Sequence, residues 1–313
     1  MLIVTGGAGF IGSNLVRELN RRGRTDLLVV DDLEHSEKYQ NLADLVIQDY
    51  MDRREFRARI EAGRMKGSFE AILHNGACTN TMETDGRRML DHNFGDSKAI
   101  LDFAISNRVP FVYASSAAIY GRSRDFQVDP RNECPLNLYG WSKLVFDQHV
   151  RSRIAEAEST LVGLRYFNVY GPREQHKGQM MSVLHQLLAQ LRSEGVCRLF
   201  EGTDGFAHGE QVRDFIFVED IVNILLFFAD GPLQKGIYNA GTGEAHSFNT
   251  IANTLIHLLG QGRIEYIPFP ENLRGHYQSY TQANLVTLRA AGYDRPFTPL
   301  ETGIQKTLMA LGD

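Results

Sequence analysis

The amino-acid sequence predicts an α/β protein built on a doubly wound parallel sheet. Short apolar segments alternate with longer amphipathic segments through roughly the first half of the chain, and strands that alternate with helices pair in parallel. The apolar segments are rich in β-branched residues and almost continuous in hydrophobicity, which is typical of strands covered on both faces. These predicted strands span residues 2–6, 26–32, 45–50, 71–77, 111–116 and 161–169.

Amphipathic segments between and after these strands predict the helices. The first four lie at about 10–22, 53–62, 86–107 and 138–154. Beyond Pro172 the segments are shorter and richer in glycine and proline. In this second half we expect helices near 179–194, 219–230, 247–259, 283–291 and 300–311.

This change of character predicts two domains, for which a chain of 313 residues is long enough. The larger and more regular domain should contain residues 1–170 together with about 212–243 and 278–300. Insertions should build a smaller α/β substrate-binding domain from about 171–211, 244–277 and 301–313.

Composition argues against several classes of function. The formal net charge is −5 with both signs interspersed, so neither nucleic acid nor a membrane surface is an expected partner. The sequence lacks an apolar run of the ~18 residues that span a bilayer, and its start does not resemble a signal peptide. Three widely spaced cysteines argue against a disulfide framework and a zinc site. We therefore expect a cytoplasmic protein without a metal, whose cysteines are small, half-buried hydrophobic groups.

A glycine-rich turn directly follows the first predicted strand. In VTGGAGFIG, Gly6 permits a tight turn, Gly9 lets a pyrophosphate approach the backbone, and Gly12 allows the helix to pack closely on the strand. The N-terminus of that helix would face the anion. Asp31 stands nineteen residues after Gly12, where a ribose-binding carboxylate is expected. A tight turn alone would also need glycine, but this context predicts a Rossmann-type dinucleotide-binding domain.

The sequence leaves the choice of dinucleotide open. Asp31 and Asp32 would bind a free 2′-hydroxyl and repel a 2′-phosphate. Lys38 and Arg53 lie close enough in sequence to neutralise that phosphate, although they could equally be solvated surface charges. NADP is the expected cofactor, with NAD as the alternative.

A tyrosine and a lysine lie four positions apart in NLYGWSK, within a predicted helix. Tyr139 and Lys143 would share one face of that helix, and a cation at ~5 Å would favour the phenolate by about 3 kcal/mol. We therefore expect Lys143 to lower the pKa of the phenol. Ser116 ends a predicted strand, where a hydroxyl can hold a substrate alcohol while the tyrosine takes its proton.

Together these motifs resemble those of the extended short-chain dehydrogenase/reductase superfamily. Longer segments narrow the resemblance, because YASSAAIYG, RYFNVYGPRE, GIYNAGTG and YTQANLVTLRAAGYD are similar to segments of the ADP-glyceromanno-heptose 6-epimerases. That family interconverts ADP-D-glycero- and ADP-L-glycero-β-D-manno-heptose on the route to the lipopolysaccharide inner core. The resemblance implies a two-domain epimerase with tightly held NADP, an ADP-heptose substrate and a homo-oligomeric state, suspected to be a homopentamer.

The resemblance also implies the residues of the reaction site. Tyr139 would be one catalytic acid/base, with Lys143 as its partner on the nicotinamide ribose and Ser116 on the substrate hydroxyl. Lys177 would be a second acid/base. The cofactor would contact Gly6, Gly9, Phe10, Ile11, Gly12, Asp31, Asp32, Lys38, Arg53, Asn75, Gly76, Ala77, Cys78, Thr79, Asn93, Lys143, Val169 and Lys177.

By the same resemblance, the sugar nucleotide would contact Ser116, Asn168, Gln179, Phe200, Glu201, Gly202, Thr203, Arg213 and Tyr277. An arginine can grip a diphosphate bidentately, although Arg213 could instead pair with Asp214 or Asp220. Two positions depart from the family pattern. Asn75 stands where a glutamate is expected, and Gln186 stands where a substrate-contacting histidine is expected.

Inversion at C6 suggests a role for Lys177 as a second acid/base, although the sequence around Lys177 does not indicate that role. A 6-epimerase must oxidise C6, turn the resulting carbonyl and return hydride to its other face, and one fixed base cannot easily serve both orientations. Lys177 could serve the second face. Taken alone, however, a lysine in EQHKGQ is more simply a surface residue.

Other functions share parts of this pattern. A UDP-hexose 4-epimerase would use Ser116, Tyr139 and Lys143 in the same way. A 4,6-dehydratase usually carries Asp–Glu where this chain has Ala117 and Ala118, which cannot transfer a proton. A non-catalytic NAD(P)-binding sensor would have no need for the serine, tyrosine and lysine together.

Overall fold

The structure is a computed structural model that describes residues 1–33, 36–273, 275 and 277–312. Within these residues the chain forms twelve strands, numbered in chain order. They are β1 (Leu2–Thr5), β2 (Leu27–Asp31), β3 (Asp49–Asp52), β4 (Ala71–His74), β5 (Phe111–Ser116), β6 (Leu161–Tyr166), β7 (Asn168–Tyr170), β8 (Val196–Phe200), β9 (Val212–Phe217), β10 (Lys235–Ala240), β11 (Ala245–Ser247) and β12 (Arg263–Ile267).

The same described residues form ten α-helices. They are α1 (Phe10–Arg21), α2 (Arg53–Glu61), α3 (Gly86–Leu90), α4 (Ser97–Asn107), α5 (Leu138–Arg153), α6 (Val183–Glu194), α7 (Val218–Asp230), α8 (Phe248–Leu259), α9 (Val286–Ala290) and α10 (Leu300–Leu311). A π-helical turn, Asp91–Asp96, joins α3 to α4.

Seven strands form the central sheet in the order β10–β6–β5–β4–β1–β2–β3, and every neighbouring pair is parallel. Helices cover both faces, with α1 and α7 in one apolar core and α2, α4 and α5 in the other. The strand order reverses between β1 and β4, the place where such sheets bind ligands beyond their carboxyl ends. The predicted doubly wound α/β fold is confirmed.

Two small sheets lie outside the central one. Strands β7 and β11 both pair with β9, and β8 pairs with β12. They share an apolar core with α6, α8 and α10, in which Leu187, Phe215, Ile251 and Ile304 are buried. Within the range 212–243, assigned by the sequence to the larger domain, β9 joins this smaller part while α7 and β10 pack on the central sheet. The domain boundaries themselves stay a prediction.

Two predicted strands have the wrong bounds. Leu42, Leu45 and Ile47 pack against the core from an irregular segment, so β3 begins four residues later than expected, at Asp49. Apolar packing there resembles a strand in sequence without forming one. The predicted strand 161–169 is two strands, β6 and β7, which belong to different sheets.

Three predicted helices also differ. The segment 86–107 is interrupted by the π-helical turn between α3 and α4. Helix α6 begins only at Val183, after a 3₁₀ segment at Gln175–Met180. Helix α9 keeps only the middle of the predicted segment 283–291.

Within the described ranges, the structure contains neither a disulfide bond nor a cluster of metal-ligating side chains. Cys78 is half-buried, Cys134 is exposed and Cys197 is buried, all as free thiols. The expectation of three half-buried groups is therefore right only for Cys78. Among the described residues, no group of three or more metal-ligating side chains comes together. Across the same residues, no helix has both the length and the apolar character to cross a membrane.

A chain of buried hydrogen bonds joins β1, β4 and α4 beneath the edge of the sheet. The Ser97 hydroxyl donates to the Asn93 carbonyl at 2.8 Å, so its oxygen accepts from Nε2–H of His74 at 2.9 Å. Nδ1 of His74 then accepts from the Thr5 hydroxyl at 2.6 Å, whose oxygen accepts from the Gly76 N–H at 3.2 Å. Both nitrogens of a neutral imidazole are used, and burial lowers the pKa of His74 to about 3.

This histidine should make the protein less stable in acid. An ordinary histidine has a pKa of about 6.5, so between about pH 6.5 and pH 3 the unfolded chain binds a proton that the folded protein does not. The free energy of unfolding should therefore fall as the pH falls, by about 2 kcal/mol from this residue between pH 7 and pH 5. Urea unfolding at both pH values measures it. The variant His74→Gln should show a pH dependence smaller by about this amount, and an unchanged dependence would contradict the assignment.

Candidate active site

A cavity of about 550 Å³ opens beyond the carboxyl ends of β1, β2 and β4, where the strand order reverses. Its size is typical of sites for small molecules. Most residues that the sequence assigns to the cofactor line it. They are Gly6, Gly9, Phe10, Ile11, Gly12, Asp31, Asp32, Lys38, Arg53, Asn75, Gly76, Ala77, Cys78, Thr79 and Lys177.

One wall of the cavity is made of closely packed backbone. Gly6 has a φ of 68°, and a Cβ at Gly12 would lie 2.0 Å from the Gly6 carbonyl oxygen. A Cβ on Gly6 itself would lie 2.6 Å from the backbone nitrogen of Gly76. Helix α1 starts after Gly9 without a side-chain cap, so its first N–H groups remain available to an anion. This wall fits the pyrophosphate of a dinucleotide.

At the end of β2, two carboxylates and a lysine form a compact charged group. The Asp31 carboxylate accepts from the Ala8 N–H at 2.8 Å and pairs with Lys38. Lys38 also lies 3.1 Å from an Asp32 carboxylate oxygen and is only 14% exposed. Burial raises the pKa of Asp31, with Lys38 opposing it. Lys38 is therefore part of the cavity wall and not a solvated surface charge.

Arg53 reaches the same group from the start of α2. Its side chain is 15% exposed, pairs with Asp96 and lies 3.8 Å from Asp32. One guanidinium nitrogen donates to Nε2 of His92 at 2.9 Å, which fixes that imidazole nitrogen as an acceptor. Its Nε is buried and has no hydrogen-bond partner in the structure. A cation with a spare buried donor at this position fits an additional phosphate on the ribose.

Tyr139 and Lys143 lie one turn apart near the start of α5, which the Asn137 side chain caps. The phenol shares a hydrogen bond with the Ser116 side chain at the end of β5. Lys143 is 5% exposed, and its ammonium donates to the Ala114 carbonyl at 2.9 Å. The structure thus brings the three predicted catalytic side chains together at the carboxyl edge of the sheet.

The electrostatics of this group differ from the expectation. Burial raises the pKa of Tyr139, and the hydrogen bond with Ser116 opposes that effect. Burial lowers the pKa of Lys143 to about 8, with Asp147 opposing it. The predicted lowering of the phenol's pKa by Lys143 is therefore wrong for this structure, because desolvation of the buried phenol is the largest effect on its pKa.

Contacts around Cys78 fix this group beside the cavity. The thiol lies close enough to Tyr139 and Lys143 to act on both electrostatically. Asn93 accepts from the Cys78 N–H at 2.7 Å and donates to its carbonyl at 3.0 Å and to the Ser142 hydroxyl at 2.9 Å. Asn93 is 1% exposed. It ties α5 to the loop after β4 and is not among the residues that line the cavity, so its contact with the cofactor stays a prediction.

Lys177 lies on the 3₁₀ segment that follows β7. Its side chain is 21% exposed, with Nζ 3.2 Å from a Glu174 carboxylate oxygen and 5.2 Å from the centre of the Phe10 ring. Because it lines the cavity and is only 21% exposed, Lys177 is not simply a surface lysine.

Arg213 lies on β9 and is not among the residues that line the cavity. It is 7% exposed, and its guanidinium lies over the rings of Tyr277 at 4.7 Å and Phe248 at 5.5 Å. One nitrogen donates to the Val212 carbonyl at 3.0 Å. Burial lowers the pKa of this arginine, so its cation is held in an apolar setting.

Neither alternative partner of Arg213 pairs with it. Asp214 accepts from the Thr242 hydroxyl and N–H, both at 2.8 Å, and Asp220 accepts from the N–H of Thr298 at 2.9 Å. In the part of the chain that the structure describes, Arg213 forms no ion pair. A buried guanidinium without a carboxylate fits an anionic ligand.

The segment after β8 lies near Arg213 through a chain of aromatic rings. The Phe200 ring meets Phe269 at 5.4 Å, and Phe269 meets Tyr277 at 5.3 Å. The N–H of Glu201 donates to the Ile267 carbonyl at 2.8 Å. The remaining residues of this predicted substrate segment, Gly202 and Thr203, follow directly.

Other predicted contacts are more peripheral. Asn168 and Gln179 are exposed, and Val169 is partly buried against the apolar core. Gln186, which replaces the expected histidine, donates to the carbonyls of Gln179 at 3.1 Å and Met181 at 2.9 Å. Its side chain therefore shapes the segment that carries Gln179.

Several cavity residues escaped the sequence analysis. They are Thr5, Val30, Phe56, Arg57, His74, Asn80, Glu83, Arg88, His92, Asp96, Ile100, His176 and Met180. Arg88 and His92 are four positions apart, a spacing that puts them on one helix face. Nothing in the sequence indicates that this face points at the cavity.

Comparison with known proteins agrees with this site. Residues 2–241 match the model of the NAD dependent epimerase/dehydratase family. Over 313 residues the chain is 56% identical to a protein of Alkalilimnicola ehrlichii named ADP-L-glycero-D-manno-heptose-6-epimerase, with 100% of this chain and 98% of the relative covered. The chain belongs to the NAD-dependent epimerase/dehydratase family.

Solved structures of similar proteins extend the match. The ADP-L-glycero-D-manno-heptose-6-epimerase of Helicobacter pylori has a TM-score of 0.86 and 30% identity, covering 99% of this chain and 96% of that one. The UDP-glucose 4-epimerase of Thermotoga maritima, solved with UDP-glucose, has a TM-score of 0.82 and 26% identity, covering 99% and 98%. The resemblance to the 6-epimerases is confirmed, and membership of the epimerase/dehydratase family supports a nicotinamide cofactor.

The close contact at Gly12 should be essential for holding that cofactor. A methyl group in Gly12→Ala would overlap the Gly6 carbonyl, which should cost about 1–3 kcal/mol of stability and abolish copurification of a nicotinamide nucleotide. Absorbance of the nucleotide released by denaturation measures this. Gly86→Ala is the control, since nothing lies within 4 Å of a Cβ there. Equal nucleotide content in the two variants would contradict the role of the contact.

Proposed function

We propose that this epimerase inverts C6 of an ADP-activated manno-heptose, interconverting ADP-D-glycero-β-D-manno-heptose and ADP-L-glycero-β-D-manno-heptose. The observation that carries the proposal is 56% identity along the whole chain to a relative named for this reaction. The site is suited to such chemistry, because Ser116, Tyr139 and Lys143 lie beside a cavity that fits a nicotinamide nucleotide.

The nicotinamide nucleotide, when bound, supplies a group that accepts a hydride and gives it back. The chain's own residues handle the protons. Ser116 would hold the C6 hydroxyl within reach of the phenol, and Tyr139 would take the proton of that hydroxyl. The hydrogen bond with Ser116 would favour the phenolate against the burial that raises the pKa of Tyr139, and Lys143, one helical turn away, would bind the nicotinamide ribose.

Inversion requires a proton donor on the other side of C6 once the carbonyl has turned. Lys177 is suited to this role because it lines the same cavity but comes from a different part of the chain, beside Phe10 at the start of α1. Tyr139 approaches from α5. Two groups on separate elements allow each orientation of the carbonyl to meet its own acid/base.

The sugar nucleotide would be held away from the reacting carbon. Arg213 would bind the diphosphate, since its buried guanidinium pairs with none of the carboxylates that the structure describes. Residues 200–203 with Tyr277 would hold the nucleoside, and Asn168 and Gln179 would contact the sugar. Ala117 and Ala118, in the 3₁₀ turn after Ser116, have no group that could eliminate water.

For the cofactor we propose NADP, on the strength of Lys38 and Arg53 in the cavity wall. Each cation is paired with a carboxylate, yet Nε of Arg53 is buried and has no hydrogen-bond partner among the described residues, with the Asp32 carboxylate 3.8 Å away. A cytoplasmic location and a homo-oligomer, with five copies suggested by the family, remain predictions.

The function is tested by incubating the purified protein with each ADP-heptose epimer and following both by chromatography or NMR. Either epimer should give a mixture of the two. Tyr139→Phe should be at least ~10²-fold slower with its fold and nucleotide content intact, because only proton transfer is removed. Failure of the wild-type protein to convert either epimer would overturn the substrate, and near-normal turnover by the variant would overturn the role of Tyr139.

The cofactor is tested by denaturing the purified protein and weighing the released nucleotide by mass spectrometry. NADP should predominate. Arg53→Gln should shift the preference towards NAD by at least about tenfold, because a charge-assisted hydrogen bond to phosphate is lost. Arg59→Gln, on the same helix with an exposed partner in Glu55, should not. Release of NAD alone would show that the two aspartates decide the choice.

The role of Lys177 is tested by two substitutions. Lys177→Met should abolish epimerisation in both directions, because each direction crosses from one face of C6 to the other. Lys177→Arg should be equally inactive, since an arginine keeps its proton in proteins. Rates from each pure epimer measure this. Recovery of epimerisation in Lys177→Arg would show that position 177 supplies only charge.

A further inference from the structure

The carboxylate of Glu174 is fully enclosed, with its side chain 0% exposed. One oxygen accepts from the Gly171 N–H at 3.3 Å and from the Ser182 hydroxyl at 2.9 Å. The other accepts from the Ser182 N–H at 2.7 Å and from the Lys177 ammonium at 3.2 Å. The carboxylate therefore bonds to both ends of the segment that carries Lys177.

Lys177 is the basic group that balances this buried charge. Among the residues that the structure describes, it is the only lysine or arginine paired with Glu174. His185 lies 3.8 Å away, but its Nε2–H is directed to the Gly171 carbonyl at 2.7 Å. A buried carboxylate without a cation is unfavourable, so Glu174 and Lys177 hold each other in place.

The backbone of the segment would not hold the lysine by itself. Residues 175–180 form a 3₁₀ segment that is broken at Gly178, where φ is 52° and ψ is −123°. A lysine side chain on such a segment can adopt many rotamers. The ammonium is nevertheless held at two points, the Glu174 carboxylate and the face of the Phe10 ring at 5.2 Å. Phe10 begins the helix that faces the cofactor.

We propose that Glu174 is the positioning residue of the second acid/base. It does not touch the substrate, but it holds the ammonium of Lys177 over the cofactor wall so that only one face of C6 is served from that side. The proposal rests on the proposed function, in which Lys177 serves one face and Tyr139 the other.

The test measures the reaction at each face of C6 separately. Its substrate is the 6-aldehyde analogue of the ADP-sugar. Two molecules dismute on the enzyme: one aldehyde, as its hydrate, is oxidised to the carboxylate and the other is reduced to the alcohol, so the bound nucleotide ends as it began. In a Tyr139→Phe background only the Lys177 side can work, and in a Lys177→Met background only the Tyr139 side can work.

Glu174→Gln should affect these backgrounds differently. With Tyr139→Phe it should slow dismutation by about 10- to 100-fold, because a displaced acid/base costs rate on this scale, with KM within about threefold. With Lys177→Met it should change dismutation by less than about threefold. Equal losses in both backgrounds would overturn the proposal, since a general disturbance of the fold would lower both activities together.

Ser182→Ala is the matched control. It removes one hydrogen bond to the same buried carboxylate but leaves the ammonium paired. In the Tyr139→Phe background it should keep dismutation within about threefold. Thermal unfolding and nucleotide content check that each variant is folded. A loss in Ser182→Ala as large as in Glu174→Gln would show that the carboxylate only anchors the loop, and would overturn the positioning role.

A second measurement does not depend on the substrate. Acetic anhydride labels lysines, and peptide mass spectrometry gives the rate at Lys177 relative to the exposed Lys306. An ammonium released from its carboxylate should be labelled at least about threefold faster in Glu174→Gln than in the wild-type protein. An unchanged rate would contradict the contact. If the wild-type protein converted neither ADP-heptose epimer while this rate rose, the proposed function would fail and the Glu174–Lys177 contact would stand.

Discussion

The close approach of three backbone segments at Gly6, Gly12 and Gly76 is the constraint from which the site follows. With Cβ distances of 2.0 Å and 2.6 Å, no side chain can enter this contact, so α1 must start directly against β1 and the loop after β4. That packing places uncapped N–H groups at the point where the strand order reverses. The hydrogen-bond chain through His74 secures the same loops from beneath, because Thr5 accepts from Gly76 on one side and donates to the imidazole on the other. The backbone wall at Gly6, Gly12 and Gly76 is thus fixed by packing before any ligand is present.

Near this backbone wall, most buried charged side chains have an ion-pair or hydrogen-bond partner, and the partner indicates the role of the side chain. Asp147 follows Lys143 by one turn of α5, is fully buried, and is bound by Arg165 at 3.0 Å and Tyr113 at 2.9 Å, so it anchors the catalytic helix to the sheet. Lys143 itself donates to a backbone carbonyl. Arg213 likewise meets aromatic rings and a backbone carbonyl and has no carboxylate partner among the residues described. Two buried cations without an ion pair in the described part of the chain, beside fixed structural charges, fit a site that receives an anionic nucleotide.

Local sequence patterns predicted much of the fold and of the candidate site. Features that depend on contacts between residues distant in sequence were not predicted. The glycine turn, Asp31, and the Tyr139–Lys143 pair depend on spacing along one strand or helix, which the sequence shows directly. The bounds of β3 were mistaken because Leu42, Leu45 and Ile47 pack against the core, partly buried, without forming a strand. The direction of the Tyr139 pKa shift was mistaken because it depends on how deeply the fold buries the phenol. The hydrogen bonds of Asn93 to Cys78 and Ser142 join segments far apart in the chain, so no local pattern shows them.

The two proposed acid/bases are linked by the path of the chain between them. Strand β6 ends at Tyr166, whose hydroxyl donates to Asn75 in the loop after β4 at 2.9 Å. The chain then leaves for β7 in a different sheet and returns to the cavity at Lys177. This departure brings Lys177 to the cavity beside Phe10 at the start of α1, whereas Tyr139 lies on α5. In the proposed mechanism the two groups serve opposite faces of one carbon, and the carboxylate of Glu174 holds the irregular segment through its contacts with Ser182 and Lys177.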